Sequence, residues 1–139
     1  MSQSSEQTIT IKNQNYSNSA SISSQQLALQ IAAAAEDKKA QDIVLLKVSE
    51  VSYLADYFVI VTGFSQTQIN AIAESIEEKL EEQFGLQPVR VSGKREGSWI
   101  VEDYAEVIVH IFLPEEREYY NLEAFWGHAE RIQFNSEHL

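Results

Sequence analysis

At 139 residues, with 44% hydrophobic side chains and no cysteine, the chain has the size of one folded domain plus a tail, and carries neither a disulfide framework nor thiolate chemistry. No apolar run approaches the ~20 residues of a bilayer span, so no membrane contact and a cytoplasmic, reducing compartment are expected. The formal charge of −11 disfavours direct RNA or DNA contact, which needs clustered Lys and Arg, and suits a basic protein partner.

Residues 1–22 are rich in Ser, Gln and Asn without periodicity and read as a disordered leader. Lys12 is their only basic residue, which argues against an Arg-rich transit peptide. The folded domain is expected over residues 23–132, with a polar tail over 133–139. Ser23 and Gln26 fit a capping box opening a helix to about Lys39. The run DIVLLKVS (residues 42–49) reads as a buried strand, and Tyr57–Thr62 as a second. About seven residues join them, too few for a parallel crossover, so as neighbours they must be antiparallel.

Ser65 and Gln68 repeat the capping-box pattern. Ile69, Ile72, Ile76, Leu80 and Phe84 then form one helical stripe that ends at a C-cap glycine, Gly85. Residues 88–92 alternate as a short strand, so strand–helix–strand suggests one right-handed parallel unit. Residues 99–104 and 106–113 read as a hairpin. Pro114, Glu115 and Glu116 open a last helix that runs to about Gly127. The sum is an α/β (α+β) fold: a mixed five-stranded sheet with about three helices.

The blocks ADYFVIVTGFSQTQ, IAESIEEKLEE, EGSWIVEDYAEVIVHIF and PEEREYYNLEAFW, in this order and spacing, resemble the ribosomal silencing factor family, also called the Iojap family, over about residues 27–132. The resemblance implies a nucleotidyltransferase-like fold without transferase activity or cofactor. It implies binding to the fourteenth protein of the large ribosomal subunit, on the face that meets the small subunit, so that subunit joining is blocked and translation repressed. It also implies a part in large-subunit maturation, and a homodimer when free. The chain departs from the family's pattern in two places. It has Thr62-Gly63-Phe64-Ser65-Gln66-Thr67-Gln68 where many relatives read S-G-T-S-x-R-Q. It has Asp103-Tyr104-Ala105-Glu106 where they read D-Y-G-D, and alanine resists the positive φ that glycine takes freely.

The residues themselves argue against chemistry. A nucleotidyl transferase needs two metal-holding carboxylates on one strand face. The first carboxylates on a strand after Gly63, Glu102 and Asp103, are adjacent and so point to opposite faces. The turn at Gly63 and Ser65 reads as a helix cap rather than a phosphate cradle. His110 falls mid-strand, and His128 and His138 beyond the last helix, without the spacing of metal ligands. Trp99 is the candidate anchor: alternation puts it with Val101 and Asp103 on one face, opposite Ile100, Glu102 and Tyr104. An aromatic side chain with charged neighbours fits a binding hot spot. On the residues alone Trp99 could equally cap the core. The resemblance implies that the family's contact lies around this hairpin, and so implies a candidate partner-binding set of Trp99, Glu102, Asp103, Tyr104 and Glu106 on the hairpin, with Lys94 and Arg95 in the loop before it. Tyr119, Tyr120, Phe125 and Trp126 are expected to pack the last helix on the sheet.

Overall fold

The computed structural model describes residues 22–135. Helix α1 (Ser24–Glu36) leads into strands β1 (Gln41–Lys47) and β2 (Tyr57–Thr62), helix α2 (Gln66–Phe84) and strands β3 (Arg90–Ser92), β4 (Trp99–Asp103) and β5 (Val107–Phe112). Helices α3 (Pro114–Tyr120) and α4 (Leu122–Phe125) and strand β6 (Glu130–Ile132) complete the order. Among the described residues the strands form one sheet, β3-β4-β5-β2-β1-β6, in which only β2 and β5 pair in parallel.

Both long helices start as their capping residues dictate. The Ser23 hydroxyl accepts the Gln26 amide at 3.1 Å, and the Ser65 hydroxyl accepts that of Gln68 at 3.0 Å. Each satisfies one of the donors that a helix start leaves open. Gly85 ends α2 in the left-handed conformation, φ 64°. Helices α1 and α2 cover one face of the sheet, burying Leu27, Ile31, Ile69, Ile72, Ile76 and Leu80 against Leu45, Val59, Val61, Ile100, Val109 and Ile111. The other face is covered in part by α3 and α4, over Leu46, Phe58, Ile60 and Phe112. Covered on both faces, β2 has six consecutive buried residues, which is why it is apolar throughout.

Three expectations are corrected. Among the described residues the sheet has six strands, not five. The additional strand, β6, is three residues long and polar at two of them, too short to show a period of two, and it is held by pairing with β1 and by packing of Ile132 on the core. The last helix is two short ones, because Asn121 adopts φ 47°, a left-handed conformation that asparagine tolerates better than most residues. Finally, β2, α2 and β3 do not make neighbouring parallel strands. The two strands run in the same sense, but β4 and β5 lie between them, and the parallel neighbour of β2 is β5. The leader lies outside the described residues except for Ile22, and that residue packs against the core, as does Phe134 of the expected polar tail.

Candidate functional site

The hairpin of β4 and β5 builds the site. The loop before it turns at Gly93 (φ 90°), where a Cβ would run into the carbonyl oxygen of Trp99, so a side chain here would displace the start of β4. Gln66 at the head of α2 donates to the Glu96 carbonyl at 3.3 Å and fastens the loop from the side. Alternation along β4 is as expected: Trp99, Val101 and Asp103 are half-buried, while Ile100, Glu102 and Tyr104 are buried.

Trp99 sits on the thinly covered face. Its ring lies 4.8 Å from that of Phe112 and 4.6 Å from that of Tyr120, and its indole N–H donates to His110 Nδ1 at 3.1 Å. His110 is itself edge-on to Phe58 at 5.2 Å, and burial pushes its pKa down to about 4, so the imidazole is neutral. Trp126 packs on Phe58, as helix-to-sheet packing requires, but Tyr119 (82%), Tyr120 (48%) and Phe125 (75%) are exposed. Tyr119 and Tyr120 close the first short helix and Phe125 the second, so a periodicity argument for one continuous helix does not place these rings. The broken helix is pinned by Arg117, whose guanidinium contacts both Glu123 oxygens at 3.2 and 2.7 Å and the Thr62 hydroxyl at 2.8 Å. From Trp99 and Tyr120 an apolar strip continues over Val101 and Ile108, both half-buried, towards Asp103. At ~3.3 Å per residue it is about 13 Å long.

The candidate residues therefore divide between two faces. Trp99, Asp103 and the exposed Glu106 lie on or beside the strip. Glu102 does not. It is fully buried (0% exposed) on the α2 side, so it is withdrawn as a partner for an incoming cation. Tyr104 is withdrawn with it, being buried on the same side. Burial first, and then the Glu77 carboxylate, push Glu102 up to about 10, so it carries its proton at neutral pH. Burial pushes Glu77 upward too, but the Glu102 carboxyl and Lys94 together outweigh it and hold Glu77 below the usual carboxylate value, so it stays ionised. Lys94 is occupied by that carboxylate at 2.9 Å, which leaves the exposed Arg95 as the freer cation of the loop.

Asp103 has a second task. Its Oδ1 accepts the Ala105 amide at 2.8 Å and so holds the tight turn in which Ala105 takes φ 72°. The hairpin keeps the turn that glycine would favour and strains the alanine instead. At the other end of the sheet, the turn after β2 is a cap. Its Phe64 and Gln68 amides are satisfied by Gln68 Oε1 (2.7 Å) and Ser65 Oγ, and Gln68 Nε2 reaches the Lys38 and Lys39 carbonyls. Among the described residues no group of three or more His, Cys, Asp and Glu side chains is placed to hold a metal ion, and no helix is long and apolar enough to cross a membrane.

Residues 21–139 match the model of the RsfS family, described as ribosomal silencing factor during starvation. A Bacillus subtilis protein named ribosomal silencing factor RsfS is 44% identical over 106 residues, covering 76% of this chain and 89% of the relative. The chloroplastic protein Iojap of Zea mays is 41% identical over 106 residues, covering 76% of this chain and 46% of the longer relative. A crystal structure of a Chromobacterium violaceum protein, 34% identical, matches with a TM-score of 0.74 over 81% of this chain and 92% of that one.

Proposed function

This chain belongs to the ribosomal silencing factor family, and from that premise we propose that it binds the large ribosomal subunit and keeps the small subunit from joining. The contact is with the fourteenth protein of the large subunit, as the family resemblance implies, and a non-catalytic, cytoplasmic repressor is the corresponding role. A part in large-subunit maturation follows from the same resemblance, as does a homodimer when free.

The observation that carries the reading is the strip from Trp99 to Ile108 with its exposed aromatic lip, set in a chain of net charge −11. An apolar centre with acidic neighbours complements a basic protein surface: the aromatic residues supply the desolvated contact, and Asp103 and Glu106 steer the approach. Residues 1–22 and 133–139 are proposed to flank this domain without forming the contact.

Sedimentation with separated ribosomal subunits tests it. The protein should travel with the large subunit and lower the yield of joined ribosomes when the small subunit is added. Migration with the small subunit, or undiminished joining at saturating protein, would defeat the reading.

A further inference from the structure

We propose that His110 is a positioning residue for the contact: its Nδ1 holds the indole of Trp99 in the orientation in which the partner meets it. The inference rests on the reading of Trp99 as an anchor. The position is a costly one for a histidine. His110 lies mid-strand between Val109 and Ile111 at 8% exposure, and its Nε2 has no hydrogen-bond partner. Because Nδ1 accepts from the indole, the single proton of the neutral ring must sit on Nε2, so a buried donor is left unmet. An aliphatic side chain would avoid that penalty but would offer the indole no acceptor.

The acceptor has a fixed position because the imidazole is itself wedged. Phe58 from β2 stands edge-on to it, and Phe112 from β5 stacks at 6.1 Å. Its neutrality at physiological pH keeps the lone pair available, since a protonated ring could not accept. A half-buried tryptophan at a strand end would otherwise sample several rotamers, and binding would have to select one. A single hydrogen bond to a fixed acceptor makes that selection in the free protein.

The test compares His110→Leu, which removes the acceptor, with His110→Asn, whose side-chain oxygen can stand near the place of Nδ1. Two readouts are taken. One is the indole N–H resonance of Trp99 and its solvent exchange by NMR, assigned with Trp99→Phe against the second tryptophan, Trp126. The other is affinity for the purified large subunit. In His110→Leu the Trp99 indole N–H should exchange faster and change its chemical shift. Affinity should fall about three- to tenfold, the range that ordering one side chain in advance is worth, with no loss of melting temperature. His110→Asn should recover most of both. An unmoved, slowly exchanging indole signal in His110→Leu would overturn the proposal. So would wild-type affinity in that variant while Trp99→Ala loses binding. If Trp99→Ala itself binds normally, the anchor reading falls and takes this proposal with it. Should His110→Leu fail to fold, the wild-type indole decides, because exchange as fast as that of an unbonded indole overturns the proposal.

Discussion

Glu102→Gln should make the protein more stable, although it removes a buried acid beside a lysine. The native state holds the Glu102 proton up to about pH 10, whereas the unfolded chain releases it near the ordinary value of 4.5. Between those values the unfolded state binds fewer protons than the native one, so stability falls as pH rises. From 4.5 to pH 7 the penalty is about 3 kcal/mol, at 1.36 kcal/mol per pH unit. Relaxation around the pair with Glu77 brings the expected figure nearer to about 2 kcal/mol. Glutamine keeps the shape and can still donate to Glu77, but it has no proton to retain. Urea unfolding at pH 7 should therefore show a gain of about 2 kcal/mol for Glu102→Gln, vanishing below pH 4.5, where both states of the wild type are protonated. A loss of 1 kcal/mol or more at pH 7, with wild-type stability flat between pH 5 and 7, would refute the reasoning. It would mean that Glu102 is ionised and paired with Lys94.

Trp99→Ala should weaken large-subunit binding by on the order of 2 kcal/mol, about thirtyfold, measured by equilibrium sedimentation, with the fold retained by circular dichroism. Asp103→Asn combined with Glu106→Lys keeps the oxygen that fixes the turn while removing acid charge. Stopped-flow association should become slower and less sensitive to salt. Ala105→Gly should relieve the left-handed alanine and raise stability by up to about 1 kcal/mol in urea unfolding, the relief of strain exceeding the entropy glycine adds to the unfolded chain. Light scattering of the free protein at high concentration should give about twice the 15.8 kDa chain mass, and a monomer value would count against the proposed homodimer.

Elements whose signal is local were legible in the sequence. Ser23, Ser65 and Gly85 mark helix ends through their own hydrogen bonds and dihedrals, and the apolar run at β2 marks a strand, although its full burial, greater than that of β1, comes from the layers on both faces. The alternation of β4 also correctly separated Trp99 from Glu102. What alternation could not say is which face lies under α2. Glu102 and Asp103 look alike in sequence, and only the packing of α2 makes one a buried, protonated acid and the other a surface carboxylate. The Trp99–His110 bond is a cross-strand contact between residues eleven apart, set by the register of β4 on β5. Strand β6 was missed because its stability comes from its neighbour β1 rather than from its own composition.

The single parallel pair in the sheet also sets the order in which the molecule can assemble. β1 with β2, and β4 with β5, are hairpins that close over short connections, on the microsecond scale. Joining them requires Tyr57 to find Val107 and Thr62 to find Phe112, with α2, β3 and β4 intervening in the chain. The loop entropy of that closure comes before its contacts form, so it is the slow step. Phe58 reaches His110 only across the β2–β5 seam. The wedge that fixes Trp99 is therefore completed only when the two halves of the sheet meet, and a half-folded chain carries the tryptophan but not its fixed orientation.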